Sequence, residues 1–196
     1  MDAYEAILTR RSTRKYKPTA VEPEKLQKIL EAGRCAPSGG NNQTNHFLAV
    51  RNAEVLAKIT LLAEAAFAGM EADENTYPSL RNSILASKKG GYVFSYHAPV
   101  LIIVANRKDY GNRMADSVAA VENMMIAANA FDLGSCYINQ LYWLNEEPAL
   151  LAYLRELGLK EEERVYASMA LGYAATEDGL PCRKPLPRKG NEVVLI

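Results

Sequence analysis

The sequence predicts an α+β domain in which helices cover a central sheet, and three features predict it. Val100-Leu101-Ile102-Ile103-Val104-Ala105 is a continuous apolar run introduced by Pro99, the pattern of a strand buried on both faces. Val165, Ala167, Met169 and Leu171 alternate with intervening residues, the period of a strand. Between them, Arg113 to Phe131 has helical spacing and is apolar nearly all round, through Met114, Val118, Val121, Met124, Met125 and Ile126. Such a helix must be enclosed, and Asp116, Glu122 and Asn123 argue that the enclosure is protein rather than lipid. It is either the central core helix or one side of a subunit interface.

The remaining elements follow in chain order. Asp2 caps a first helix whose apolar Ala3, Tyr4, Ile7 and Leu8 share a face, and the helix gives out at Arg10-Arg11. Pro18 enforces an extended turn. A second helix starts at Pro23, with Leu26, Ile29 and Leu30 inward and Gly33 near its end. Phe47 to Val50 reads as a strand, and Ala53 to about Met70 as an alanine- and leucine-rich helix. From Glu71 to His97 the polar composition, Pro78 and Gly90-Gly91 suggest short helical pieces in an excursion from the core. With little apolar surface to anchor it, this segment is expected to form a lid whose Tyr77, Tyr92, Phe94 and Tyr96 meet a flat substrate. Leu133-Gly134-Ser135 is a tight turn after the long helix, capped at Gly134, and leads into an extended stretch to Ile138. Glu146 to Leu157 forms a helix ended by Gly158, and Glu192 to Ile196 a last strand. No internal repeat or linker interrupts the 196 residues, so one domain spanning 1–196 is expected.

Composition narrows the function classes. Lys+Arg and Asp+Glu both number 23, so the basic clusters are local features of a balanced surface, without a general electrostatic reason to seek nucleic acid. Cys35, Cys136 and Cys182 show no CxxC spacing, which favours a reducing compartment. The N-terminus has neither the basic start nor the apolar core of a signal peptide, and no apolar run approaches the roughly 20 residues of a membrane span. A cytoplasmic protein with no membrane partner is expected. His46 and His97 have no second ligand at metal spacing, and Walker, HExxH, GxSxG and GxGxxG patterns are missing from the sequence.

Three segments carry chemistry. Arg10-Arg11-Ser12-Thr13-Arg14-Lys15-Tyr16 concentrates cations and a hydroxyl at a helix end, and arginine forks match phosphate bidentately. Ala36-Pro37-Ser38-Gly39-Gly40-Asn41-Asn42-Gln43 is a small-residue and amide loop, able to approach a flat ring closely and to satisfy donors and acceptors at its edge. Arg183-Lys184-Pro185-Leu186-Pro187-Arg188-Lys189 is a second cationic cluster far away in sequence.

Taken in this order and spacing, these segments resemble the nitroreductase family of FMN-dependent oxidoreductases, over about residue 2 to the end. The resemblance implies a nitroreductase-like fold: a mostly antiparallel central sheet covered by helices, with a C-terminal tail strand, in an intertwined homodimer. It implies that Arg10, Ser12 and Arg14 hold the FMN phosphate. Arg11 stays among the candidates as part of the cluster, although it and Lys15 alternate with those residues and would point to solvent. Pro37, Ser38, Gly39 and Asn41 match the loop that reaches the flavin, commonly from the neighbouring subunit; Thr44-Asn45 stand where the family often has proline and an aromatic residue. Leu133, Gly134 and Ser135 match a segment whose backbone approaches the isoalloxazine, with Asp132 in place of the first glycine. Arg188 is the best match for a basic residue that returns to the phosphate; Arg183 and Lys184 are alternatives, and Arg183 and Lys189 read more readily as a solvated tail.

The implied activity is transfer of electrons from NADH or NADPH through flavin N5 to a small-molecule acceptor, a nitroaromatic, quinone or similar electron-poor compound, in ping-pong order. No catalytic side chain is required, because the cofactor carries the chemistry. The alternatives are a flavin-binding module without turnover, or another flavin chemistry on the same scaffold.

Overall fold

In the computed structural model, which describes residues 1–184, 186–190 and 192–196, the apolar run after Pro99 lies near the middle of a four-stranded sheet. The strands are β1 (His46–Val50), β2 (Val100–Arg107), β3 (Gly134–Ile138) and β4 (Glu163–Gly172), ordered β1-β2-β4-β3 with every neighbouring pair antiparallel. Because side chains alternate across a strand, β2 feeds two cores. Leu101, Ile103 and Ala105 join one cluster, and Val100, Ile102 and Val104 the other. This explains why the run shows no polar alternation: neither face meets water.

Seven helices supply the covers among the described residues: α1 (Ala3–Thr9), α2 (Pro23–Arg34), α3 (Ala53–Ala68), α4 (Pro78–Lys89), α5 (Arg113–Ala130), α6 (Gln140–Trp143) and α7 (Pro148–Glu156). Helices α3 and α7 bring Ile59, Ala63, Phe67, Leu150, Leu151 and Leu154 to the first cluster. Helices α2 and α5 bring Leu26, Ile29, Val121, Met124 and Met125 to the second. Of the two readings of the long apolar helix, one chain suffices to bury much of α5, with Asp116, Ala120, Val121, Met124, Met125, Ala128 and Asn129 enclosed. No helix of the described residues is long and apolar enough to cross a membrane.

The structure departs from the sequence reading in four places. Asp2 does cap α1, accepting from the Glu5 N–H at 2.8 Å, but only Ala6 of that helix is buried. Tyr4 is 71% exposed, and Ile7 and Leu8 about half, so the apolar stripe faces outward. Second, α5 ends with Phe131 as its C-cap and Asp132 as the left-handed residue after it, not at Gly134. Asp132 takes the left-handed conformation at φ 64°, and the Leu133 N–H reaches back to the Ala128 carbonyl at 2.8 Å. Third, the 71–97 segment does not lack apolar anchors. Ile84 and Phe94 are 1% exposed, Tyr92 packs edge-on to Phe67, and the Tyr92 hydroxyl meets Ser83 and the Gln140 amide. Its polar composition misled because two serines, Ser83 and Ser87, lie on the buried stripe of α4 where the helix is packed against its neighbours. Fourth, residues 192–196 form no strand and pair with none of the described strands: Val193, Val194, Leu195 and Ile196 are exposed.

Candidate functional site

After α1 the chain becomes an extended ribbon laid across the sheet end. Ser12 bridges Ser135 in parallel and the Thr13 N–H donates to the Ser135 carbonyl at 2.9 Å. Tyr16 bridges Ala174, and its hydroxyl donates to the Thr13 carbonyl at 2.7 Å. An extended backbone sends alternate side chains to opposite sides, which groups Arg10, Ser12 and Arg14 and separates Arg11. Arg11 is half-buried rather than free in solvent. Its guanidinium donates to the carbonyls of Lys184, Leu8 and Arg10 at 2.6–3.0 Å, so it is spent on tying the tail to α1.

The turn after α5 lies against this ribbon. A Cβ on Gly134 would sit 2.6–2.8 Å from three Thr13 side-chain atoms, so the close approach of the ribbon requires glycine. Leu133 and Ser135 are buried here. The tail reaches the same end, though by a residue the sequence reading discounted. Arg183 donates to the Asn129 carbonyl and to Asp132 Oδ1, both at 2.6 Å, and its Nε to Asn129 Oδ1 at 3.2 Å. Asn129 in turn donates to the Ala6 carbonyl and Thr9. The expectation of a solvated Arg183 is therefore corrected: it is a structural pin, and its partner Asp132 explains why an acidic residue occupies the left-handed position after α5. Lys184, Arg188 and Lys189 are exposed.

Electrostatically the end is set for an anion. Arg10 has one ion-pair partner, Glu122 at 3.4 Å. Arg14 faces no carboxylate within ion-pair distance among the described residues; its guanidinium lies 6.0 Å from the Tyr96 ring centre. Burial pulls the Arg14 pKa down, but contacts with Tyr96 and neighbouring groups outweigh this and leave it above the usual arginine value. Burial drives the Tyr16 hydroxyl and the Cys136 thiol up, so both stay neutral beside the cations; for Cys136, Arg14 and Ser12 oppose the rise without cancelling it. A cavity of about 360 Å³ opens here between Arg14, Tyr16, Val93, Tyr96 and His97. It shares Gly91, Val93 and His97 with a larger apolar groove of about 920 Å³ along α3. Two cations, one of them unpaired, with the Ser12 hydroxyl on the same side fit a phosphate.

The amide loop sits elsewhere. Gly39 donates its N–H to both carboxylate oxygens of Asp116 at 3.2 Å, in the first turn of α5. Asn129, against which α1 and the tail are fixed, lies 13 residues further along that helix, about 20 Å at 1.5 Å per residue. One chain thus brings Ser12 and Thr13 onto the 133–135 turn that follows α5, with Arg10 reaching Glu122 midway along the helix, and holds Gly39 and its loop at the first turn of α5. Sequence reading missed Asp116, Tyr110 and Asn129 as the groups that hold these segments. No local signal marks them, because their partners are 54 to 123 residues away in the chain.

The model of the nitroreductase family matches residues 7–173. A protein of Archaeoglobus fulgidus whose name includes NADH dehydrogenase/NAD(P)H nitroreductase is 31% identical over 175 residues, covering 87% of this chain and 84% of that one. Among solved structures, a nitroreductase with bound FMN from Bacteroides fragilis superposes with a TM-score of 0.85 at 35% identity, covering 100% of this chain and 99% of the other. A second, from Desulfitobacterium hafniense and also with bound FMN, gives 0.79 at 25% identity with the same coverage.

Proposed function

Since this chain belongs to the nitroreductase family, we propose that it is an FMN-dependent oxidoreductase that takes electrons from NADH or NADPH and delivers them to a small electron-poor acceptor, as a homodimer in the cytoplasm. The observation that carries this reading is the ribbon of Arg10, Ser12 and Arg14 beside the 133–135 turn, cationic and short of carboxylate partners, in a fold shared with FMN-bound relatives. FMN, when bound, would supply the redox chemistry of a ping-pong transfer from nicotinamide to acceptor. The protein contributes binding and orientation. Arg10, Arg14 and the Ser12 hydroxyl hold the phosphate, with Arg188 or Lys184 as the tail residue free to join them. The buried turn of Leu133, Gly134 and Ser135 would offer its backbone to the isoalloxazine.

The dimer reading rests on the family resemblance, in which the loop matching Pro37 to Asn41 commonly reaches the flavin from the neighbouring subunit, and it is supported by Gly39 being held at the first turn of α5 while the 133–135 turn follows the last. The outward stripe of α1 and the apolar residues 193–196 give that copy something to cover, and β1 leaves an open sheet edge. Sedimentation should then give twice the 21.6 kDa chain mass.

The test begins with the purified protein, which should be yellow. Anaerobic NADH or NADPH should bleach it, and a nitroaromatic or quinone should restore the colour. Yellow protein that resists both nicotinamides would make it a flavin-binding module without turnover; a protein that takes up no FMN would refute the reading altogether.

A further inference from the structure

The loop from Ser38 to Gln43 is held in a demanding shape. Gly40, Asn41 and Gln43 all have positive φ, at 59°, 54° and 52°, and two of them carry side chains. A free loop of this composition would relax from that arrangement. Its own side chains brace it in part: the Gln43 N–H donates to Ser38 Oγ at 3.0 Å, and Gln43 Nε2 to Asn41 Oδ1 at 3.0 Å. The anchor, however, comes from α5. Asp116 is buried at 5% exposure and spends both carboxylate oxygens on the single Gly39 N–H. The Tyr110 hydroxyl lies 2.9 Å from Asp116 Oδ2 and 3.0 Å from the Gly39 carbonyl, and its one proton serves one of them at a time. Behind this, Asn45 donates to the Asp116 carbonyl, and its side-chain oxygen accepts from both Ser117 and Asn106, each at 3.0 Å. A Cβ on Gly39 would collide with the Asn112 amide and sit 2.7 Å from the Tyr110 hydroxyl.

We infer that Asp116, with Tyr110, is a positioning residue for flavin binding: it fixes the Gly39 backbone so that Ser38, Gly39 and Asn41 present to the FMN of the opposite subunit in one preset conformation. This rests on the function proposed above. The physical argument is preorganisation, because a loop whose strained backbone is fixed before the ligand arrives loses less freedom on binding. Among the described residues, the side-chain oxygens of this buried carboxylate are satisfied by the loop and one tyrosine.

The test uses the full-length protein and FMN as probe. Asp116→Ala should raise the FMN dissociation constant at least tenfold and move the visible band of whatever flavin remains bound toward that of free FMN. Amide exchange at Gly39 to Gln43 in the FMN-free protein should accelerate. Asp116→Asn, which keeps one acceptor for the Gly39 N–H, should recover most of the affinity, and Tyr110→Phe should weaken it in the same direction as Asp116→Ala. The control is Asn123→Ala on the same helix, which loses a bond to the Ala32 carbonyl at 3.1 Å but touches no loop residue. If Asn123→Ala weakened FMN as much as Asp116→Ala, the effect would be general destabilisation and the inference would fall. Wild-type affinity and band shape in Asp116→Ala would overturn it as well, while leaving the proposed function standing. Wild-type protein that bound no FMN would overturn both.

Discussion

Arg10→Ala separates the two jobs of the clamp arginine. In the fold, Arg10 makes one ion pair, with Nε 3.4 Å from Glu122, at side-chain exposures of 25% and 50%. A pair this wet contributes about 0.2–1 kcal/mol, so the variant should stay folded, with its melting midpoint lowered by no more than about 4 °C for a chain of this size. A charge-assisted bond to phosphate contributes about 1.5–3 kcal/mol, which corresponds to a loss of about 10- to 150-fold in FMN affinity. The same geometry predicts the effect of the partner. Glu122 competes with phosphate for Arg10, so Glu122→Gln should tighten FMN by about two- to fivefold, the equivalent of one exposed pair. Both constants come from titrating FMN-free protein and following the quenching of flavin fluorescence, at one fixed salt concentration because screening weakens the contact. Arg10→Ala with wild-type affinity would refute the phosphate role. Weaker binding in Glu122→Gln would show that Glu122 orients Arg10 rather than competing for it.

Three further outcomes are expected. Phe94→Ala removes a side chain that is 1% exposed and should cost about 3–5 kcal/mol of stability; calorimetry showing an unchanged midpoint would mean that Phe94 does not anchor the 71–97 segment. Gly134→Ala forces the ribbon away from the turn, since its Cβ would meet Thr13 at 2.6–2.8 Å, and should cost about 1–3 kcal/mol while weakening FMN, with a folded variant of full affinity counting against the packing argument. Cys136 should resist iodoacetamide at pH 8, because burial raises its pKa and the neutral thiol is unreactive. Exposed Cys182 should be alkylated at that pH, and mass spectrometry finding Cys136 modified first would contradict the assignment.

Where residues form their own environment, the sequence was a sufficient guide. The apolar run of β2, the alternation of β4, the Asp2 cap, Pro23 opening α2 and the wrap of apolar side chains on α5 are all set by neighbours a few positions away, and each element formed where those signals lie. The cationic ribbon and the amide loop were equally legible, because their chemistry is in their composition. Tertiary structure decided what those segments touch. Composition could not show that α4 packs Ser83 and Ser87 inward, and a shared apolar face on α1 could not show that the fold leaves it outside. Arg183 read as tail until Asn129 and Asp132 met it from 54 and 51 positions away, and nothing in the amide loop showed that Asp116, 77 positions away, would hold Gly39. Periodicity is a property of adjacent residues, whereas a hydrogen bond across the fold depends on where two distant segments come to rest, and one chain's sequence carries no local mark of that meeting.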